Sequence, residues 1–451
     1  MNEKILITGM GIVSALGNNV EENLQALRAN RSGIAPLHYL KTSHTEFPVG
    51  EVKMTNQEMV ALLNYPENKP TTRTSLMGML AVKEALQNAG LITNTSHLLP
   101  LTSHLSPLTS HLSPLTSHLS PLTSHLSPLT SHLSPRTPNL AFVSGTTVGG
   151  MDMSEQFYLD FIENDTKNAY ISTHDCGTCT EMIADYFGVF SQLDTISTAC
   201  SSAANAIILG AELLKSGRAD IVVAGGSECI TKFHLNGFNS LMILDRRPCR
   251  PFDATRAGIN LGEGAAYIVM EREETFNMRR ETLVNLKSQI PNPKPHCYLS
   301  GYANTCDAYH QTASAPDGEG AYLAMKKALE RAQLTPEHID YINAHGTGTE
   351  NNDISEGTAI VRVFGDKIPP VSSTKSFTGH TTSAAGCVEA IISILALQHN
   401  FYPANLNFSE KIPELPFVPV SNQHPQKPLQ CVLSNSFGFG GNDSALIFSK
   451  I

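Results

Sequence analysis

Thr198-Ala199-Cys200-Ser201-Ser202-Ala203-Ala204 places a single cysteine where a strand, Leu193 to Ser197, gives way to a helix. Beyond it Ala203, Ala204, Ile207, Ile208, Ala211 and Leu214 recur at the i, i+1, i+4, i+5, i+8, i+11 spacing of a helix facing a core. Strand and helix both read as buried. Cys200 then falls at or just before the first turn, where unpaired backbone N–H groups and the helix dipole favour an anion. Such a position lowers a thiol pKa and makes a nucleophile; a small buried core cysteine is the other reading of this stretch alone.

Working outward, the next apolar run, Asp220 to Gly226, reads as a second buried strand ending in glycines. Strand, helix and strand in succession imply a βαβ unit and a parallel sheet. Further strands are expected at Leu140 to Ser144 and at Gly262 to Met270, and an apolar helix from Thr74 to Ala89 ending at Gly90. The second half repeats the pattern: helix from Ala321 to Ala332, strand from Ile339 to Ala344, helix, strand, and a long apolar helix from Ala384 to Leu397. The fold class is therefore α/β with a duplicated unit. Polar residues from about 271 to 296 read as a surface excursion between the halves, which places an N-terminal half at 1–270 and a C-terminal half at 271–451.

A chain of 451 residues with 41% hydrophobic and 16% charged content can bury a large core. Its net charge of -10 and pI near 5.9 argue against nucleic-acid or anionic-membrane binding, both of which need a cationic face. Nine cysteines, odd in number and without framework spacing, fit a reducing cytoplasm. No signal peptide is recognised at the N-terminus, and no apolar run approaches the roughly 18 residues of a membrane span.

Three features need separating from function. Ile5 to Ser14 is a strand followed by glycines, but Ser14 stands where a dinucleotide fingerprint needs its third glycine. Cys176 and Cys179 form a CxxC without the further ligands a zinc site needs or a thioredoxin-like context. Residues 101–135 are five tandem copies of Leu-Thr-Ser-His-Leu-Ser-Pro within an insertion at about 95–138. A proline every seventh residue forbids a continuous helix, so the insertion reads as a low-complexity loop in a connection where added length costs little.

His345, in Asn343-Ala344-His345-Gly346-Thr347-Gly348-Thr349, and His380, in Lys375-Ser376-Phe377-Thr378-Gly379-His380, sit just after strands among small residues, as Cys200 does. Groups at the carboxyl ends of parallel strands converge on one crevice, so a Cys-His-His site follows. With Asn435-Ser436-Phe437-Gly438-Phe439-Gly440-Gly441, Asp307-Ala308-Tyr309-His310 and Arg250-Pro251-Phe252-Asp253, these stretches resemble, in order, the signatures of the elongating β-ketoacyl-acyl carrier protein synthases. The resemblance covers nearly the whole chain outside the heptapeptide insertion. Asn442-Asp443 after the glycines departs from the commonest pattern of that family.

The resemblance implies a thiolase-like fold in five αβαβα layers and a homodimer, with a heterodimer as the other arrangement. It implies Cys200 as the acyl-accepting nucleophile and His345 and His380 as the pair acting on malonyl carrier protein. Lys375 would supply positive charge, with Glu389 as its structural partner. The N–H groups of Cys200 and Phe439 would form an oxyanion hole, Phe439 would gate the acyl pocket, and Val148 would line it. No cofactor of its own is implied, since substrates arrive on the phosphopantetheine of an acyl carrier protein. That acidic partner calls for a basic patch, for which Arg73, Arg246 and Arg247 are candidates. An initiating synthase that uses acyl-CoA pairs its cysteine with histidine and asparagine, whereas this chain has two histidines. A chain-length-factor partner typically lacks the nucleophile, whereas this chain keeps it.

Overall fold

The computed structural model describes residues 4–92, 138–164, 168–285, 293–421, 424–425 and 427–451. The heptapeptide insertion lies outside the described residues. Ten strands form one mixed sheet: β1 (Ile5–Ser14), β2 (Leu140–Gly145), β3 (Gln192–Ile196), β4 (Ile221–Glu228), β5 (Gly264–Arg272), β6 (Cys297–Cys306), β7 (Tyr341–Asn343), β8 (Val371–Ser372), β9 (Cys431–Gly438) and β10 (Asn442–Ser449). Their order is β3-β2-β4-β5-β1-β6-β10-β9-β7-β8.

Read from its two ends, that order is one topology used twice. β2 is parallel to β3 and β4, while β5 runs antiparallel to β4 and β1. β7 is likewise parallel to β8 and β9, while β10 runs antiparallel to β9 and β6. The two units meet where Ile5, Leu6 and Ile7 of β1 pair with β6. The parallel sheet expected from the sequence is thus confined to three strands of each unit, because the connections into β5 and β10 are not helical crossovers.

Described helices are α1 (Val20–Arg28), α2 (Asn56–Leu63), α3 (Arg73–Asn88), α4 (Met151–Asn164), α5 (Cys176–Phe187), α6 (Ser202–Lys215), α7 (Lys232–Ser240), α8 (Glu273–Asn285), α9 (Glu319–Ala332), α10 (Glu350–Phe364), α11 (Lys375–Thr378) and α12 (Ala385–His399). Strand alternation shows how they layer. Ala266, Ile268 and Met270 of β5, with Leu446 and Phe448 of β10, share one core with α6 and α12. Their neighbours Ala265, Tyr267 and Val269 face α3 and α5, and Ala445 and Ile447 face α9 and α10. Helices α6 and α12 therefore lie between two sheet faces, with further helices outside: five layers.

Several sequence expectations change in the folded chain. The glycines of the first segment are inside β1, where a Cβ on Gly9 would meet the Ala85 oxygen at 2.3 Å and one on Gly11 the Ala81 oxygen at 2.0 Å. They let α3 lie close on the strand and have no phosphate-binding geometry. β3 is not buried: it is the edge of the sheet, alternating half-buried and exposed residues. The polar stretch after Met270 contains α8, whose Phe276 and Arg279 are buried, Arg279 pairing with Glu271 at 2.6 Å. Thr382–His399 has the length and hydropathy of a membrane span, contrary to the sequence reading, but 89% of it is buried, as expected for a core helix between two sheets.

Candidate active site

The duplicated topology decides where the chemistry gathers. Cys200 follows β3 and precedes α6; His380 follows β8 and precedes α12. They occupy equivalent places in the two units, at the N-terminal ends of the two central helices, and His345 follows β7 beside them. All three side chains line one cavity of about 460 Å³ with Phe437 and Phe439.

Cys200 sits in a tight turn. Ala199 takes φ +52, a left-handed conformation that costs a residue with a Cβ about 1–2 kcal/mol. Hydrogen bonds hold the strain: Thr198 N donates to Ser202 Oγ at 2.9 Å, and Ser202 Oγ donates to the Ala199 oxygen at 2.7 Å. Gly438 allows the β9–β10 turn to abut this one, since a Cβ there would meet the Thr198 oxygen at 2.8 Å. The backbone N–H of Phe439 favours the Cys200 thiolate. The lowered thiol pKa expected from the helix end is not what the structure has. α6 begins at Ser202, and burial pushes the Cys200 thiol up to about 12, with Lys375 opposing. Desolvation outweighs the helix terminus because Cys200 is buried, only 6% exposed. Cys200 therefore rests as a thiol, and any attack by its sulfur requires the proton to leave.

His345 is held by its backbone. Its N–H and that of Gly346 donate to the two carboxylate oxygens of Glu356 at 2.9 and 2.7 Å, and Gly348 N donates to Asp353 at 3.1 Å. His380 N donates to the Asn260 oxygen at 2.7 Å, and Gly262 N donates to the His380 oxygen at 2.9 Å. The two rings meet edge to face at 5.4 Å. Thr382 N donates to Nδ1 of His380 at 3.2 Å, and Lys375 Nζ lies 3.2 Å from Nδ1 of His345. With each Nδ1 accepting, the ring proton belongs on Nε2 in both residues. Burial, then the Lys375 charge, holds both pKa values well below that of free imidazole. Two neutral imidazoles thus offer N–H donors rather than free lone pairs, an arrangement suited to negative charge developing on oxygen.

Lys375 is buried and donates to the His345 oxygen at 2.5 Å and to Glu389. Burial raises the Glu389 carboxyl to about 7 against the pull of Lys375. Lys375→Met strands that carboxyl and is expected to cost about 3–5 kcal/mol of unfolding free energy in urea. Adding Glu389→Leu recovers much of the loss, whereas an unstable double variant would show that the lysine contributes through packing alone.

Phe439 is half-buried and stacks on Phe238 of α7 at 5.9 Å. Val148 does not line the cavity; it is buried in the loop after β2, where its N–H, with Thr146 and Thr147, donates to Glu228. Arg73 is not a surface cation: it pairs with Glu263 at 2.5 Å and donates to the Val52 and Met54 oxygens, because α3 starts inside the fold. Arg246 and Arg247 are exposed, in the loop after cavity residues Met242 and Ile243. Cys179 faces the core beside Thr72. Sequence reasoning missed Glu356 and Glu228. Each is a buried acid at a strand end or on the helix after a glycine-rich turn, and that placement was the available signal.

These features agree with comparison to known proteins. Residues 2–102 and 131–275 match the family described as "Beta-ketoacyl synthase, N-terminal domain", and 296–409 match "Beta-ketoacyl synthase, C-terminal domain". The chain is 30% identical over 465 residues to "3-oxoacyl-[acyl-carrier-protein] synthase 2" of Coxiella burnetii, covering 99% of each. It is 29% identical over 460 residues to "Nodulation protein E" of Rhizobium meliloti, covering 100% of each. Among solved structures, "The ishigamide ketosynthase/chain length factor" superposes with a TM-score of 0.81 at 26% identity, covering 100% of both chains. A beta-ketoacyl synthase from Burkholderia phymatum gives 0.76 at 25%, again with 100% of both chains covered. With both halves matched and a cysteine, two histidines and a glycine turn brought to one cavity, the chain belongs to the beta-ketoacyl synthase family.

Proposed function

We propose that the chain is an elongating β-ketoacyl-acyl carrier protein synthase, acting in fatty-acid or polyketide chain elongation. The observation that carries this reading is the convergence of Cys200 with two neutral, Nε2-protonated imidazoles in one cavity. In the first half-reaction Cys200 Sγ attacks the acyl thioester of the carrier's phosphopantetheine. The tetrahedral oxyanion lies between the N–H groups of Cys200 and Phe439; the pantetheine sulfur leaves and takes up the thiol proton. Malonyl carrier protein then loses carbon dioxide. The electron pair of the broken C–C bond forms an enolate whose oxygen receives hydrogen bonds from His345 and His380. The enolate carbon attacks the Cys200 thioester, the sulfur leaves as a thiolate that takes up a proton from solvent, and the β-ketoacyl group remains on the carrier.

Lys375 fixes the His345 tautomer, and Glu389 keeps Lys375 in place. Phe439, stacked on Phe238 beside Gly438 and Gly440, gates the acyl path; Val148, outside the cavity, would meet that path only beyond it, where the loop after β2 would approach a partner subunit. The exposed edge of β3 and the solvent-facing Tyr158, Leu159 and Ile162 of α4 support a homodimer through the N-terminal half. A heterodimer with a chain-length-factor partner would use the same face. Arg246 and Arg247 beside the cavity support docking of an acidic acyl carrier protein. Nine unpaired cysteines support a cytoplasmic setting, and the acidic charge leaves nucleic acid and membranes outside the proposed partners. The topological repeat supports division into halves at 1–270 and 271–451, with the low-complexity insertion at about 95–138.

The test is intact-protein mass after incubation with acyl carrier proteins of several chain lengths, followed by malonyl carrier protein. An adduct formed from acyl carrier protein and discharged as β-ketoacyl product is the expected result. Adduct only from acyl-CoA would assign an initiating synthase, and no adduct from any donor would assign the non-catalytic partner.

A further inference from the structure

The two donors of the proposed oxyanion hole belong to different halves of the chain. Cys200 stands on the turn before α6, whereas Phe439 stands on the turn joining β9 to β10, so something must fix the distance between them. Asn442 reaches across the gap. The side-chain oxygen Oδ1 of Asn442, the first residue of β10, lies 2.8 Å from Ser201 Oγ, 2.8 Å from Asn205 Nδ2 and 2.7 Å from Asn304 Nδ2. Ser201 directly follows the nucleophile, Asn205 is on the first turn of α6, and Asn304 is on β6. Asn442 itself pairs in register with Gly438, next to Phe439. Two amide NH2 groups donating to one oxygen fix which way the Asn442 amide faces, since the reverse orientation would set donors against donors.

The cluster closes on itself. Asn205 Nδ2 also lies 2.9 Å from Thr198 Oγ1, and Ser444 Oγ donates to Asn205 Oδ1 at 2.8 Å. The single proton of Ser201 Oγ is shared between Asn442 Oδ1 and the Thr198 oxygen, which lies 2.7 Å away. The network therefore ties the strained Thr198–Ser201 turn to the strand immediately after the glycine turn. We infer that Asn442 is a positioning residue that sets the spacing of the Cys200 and Phe439 N–H groups by clamping the nucleophile turn of one half to the β9–β10 hairpin of the other. The inference rests on the reading of those two groups as the oxyanion donors. Asn442 touches no reacting atom; it acts through Ser201, Asn205 and the β10 backbone. A displacement of about 1 Å at such a site can cost on the order of 100-fold in rate.

The pair Asn442→Val and Asn442→Thr isolates the clamp, because valine and threonine share shape and strand preference and differ in the oxygen acceptor. The readout is single-turnover acylation of Cys200 by an acyl carrier protein, followed by intact mass across donor concentrations. Asn442→Val is expected to acylate about 10- to 100-fold more slowly at saturating donor, with the half-saturating donor concentration unchanged. Asn442→Thr is expected to stay within about threefold of the parent, because a short acceptor keeps part of the network. Val and parent acylating at equal rates would overturn the inference. Equal slowing of Val and Thr would overturn it too, since the effect would then follow shape and not the acceptor. A loss confined to the half-saturating concentration would place Asn442 in carrier binding and likewise overturn it. Failure of the parent chain itself to acylate Cys200 would instead remove the reading of the site on which the clamp depends.

Discussion

Cys200→Ser lowers β-ketoacyl product formation by about 10,000-fold or more while thermal unfolding of the protein changes little. Serine fits the space of the thiol, so the left-handed Ala199 and the hydrogen bonds around Ser202 are retained. What is lost is a polarisable sulfur whose proton can depart as the bond to carbon forms. A serine hydroxyl is a weaker acid than a thiol and has no base beside it: the imidazoles of His345 and His380 present Nε2–H, with their lone pairs turned to Lys375 and Thr382. The measurement is product formation by mass alongside the acyl-enzyme. A variant that still forms the acyl-enzyme at close to the parental rate would place the nucleophile elsewhere in the cavity.

His380→Ala and His345→Ala separate the two half-reactions. Each variant is expected to accept an acyl group on Cys200 within about tenfold of the parental rate, yet to release carbon dioxide from malonyl carrier protein about 100- to 1,000-fold more slowly. Attack on the first thioester draws on backbone N–H groups, whereas the enolate needs both ring donors. The pH dependence follows from the direction of the histidine shifts. Both folded-state pKa values are depressed, so the neutral, donating form persists as pH falls through 6.5. Decarboxylation at pH 6 should therefore keep most of its rate at pH 7.5. A titration midpoint near 6.5 would mean that at least one ring is solvated and free of Lys375.

The elements of this fold differ in how plainly they are written. Cys200 and His345 could be placed from sequence because each stands among small residues shortly after a strand, and a parallel arrangement gathers such positions; His380, separated from β8 by the short helix α11, could be placed chiefly by its motif. The duplicated α/β unit could be inferred from alternation and helix spacing and the five layers only from the family resemblance, but the antiparallel strands β5 and β10 could not be inferred, because a strand buried on both faces carries no mark of its direction. Glu356 and Asn442 left little trace. Each works by accepting hydrogen bonds from groups distant in the chain or from the backbone, and acceptors of that kind follow no period. Arg73 was misplaced for the converse reason: a charge on a sequence says nothing about the carboxylate waiting for it, here Glu263. The Cys200 thiol was misjudged because the helix end is visible in sequence while the depth of the pocket is not.

The heptapeptide copies enter and leave the described fold at the end of α3 and the beginning of β2. β2 runs from there toward the loop held by Glu228, the side of the sheet on which Cys200 stands. The unit thus joins the protein at the opposite end of that strand from the chemistry. The described residues that flank the copies, at the end of α3 and the start of β2, line no part of the cavity, so gain or loss of whole copies, which slippage of a repeated gene segment readily produces, alters the chain between two points away from it.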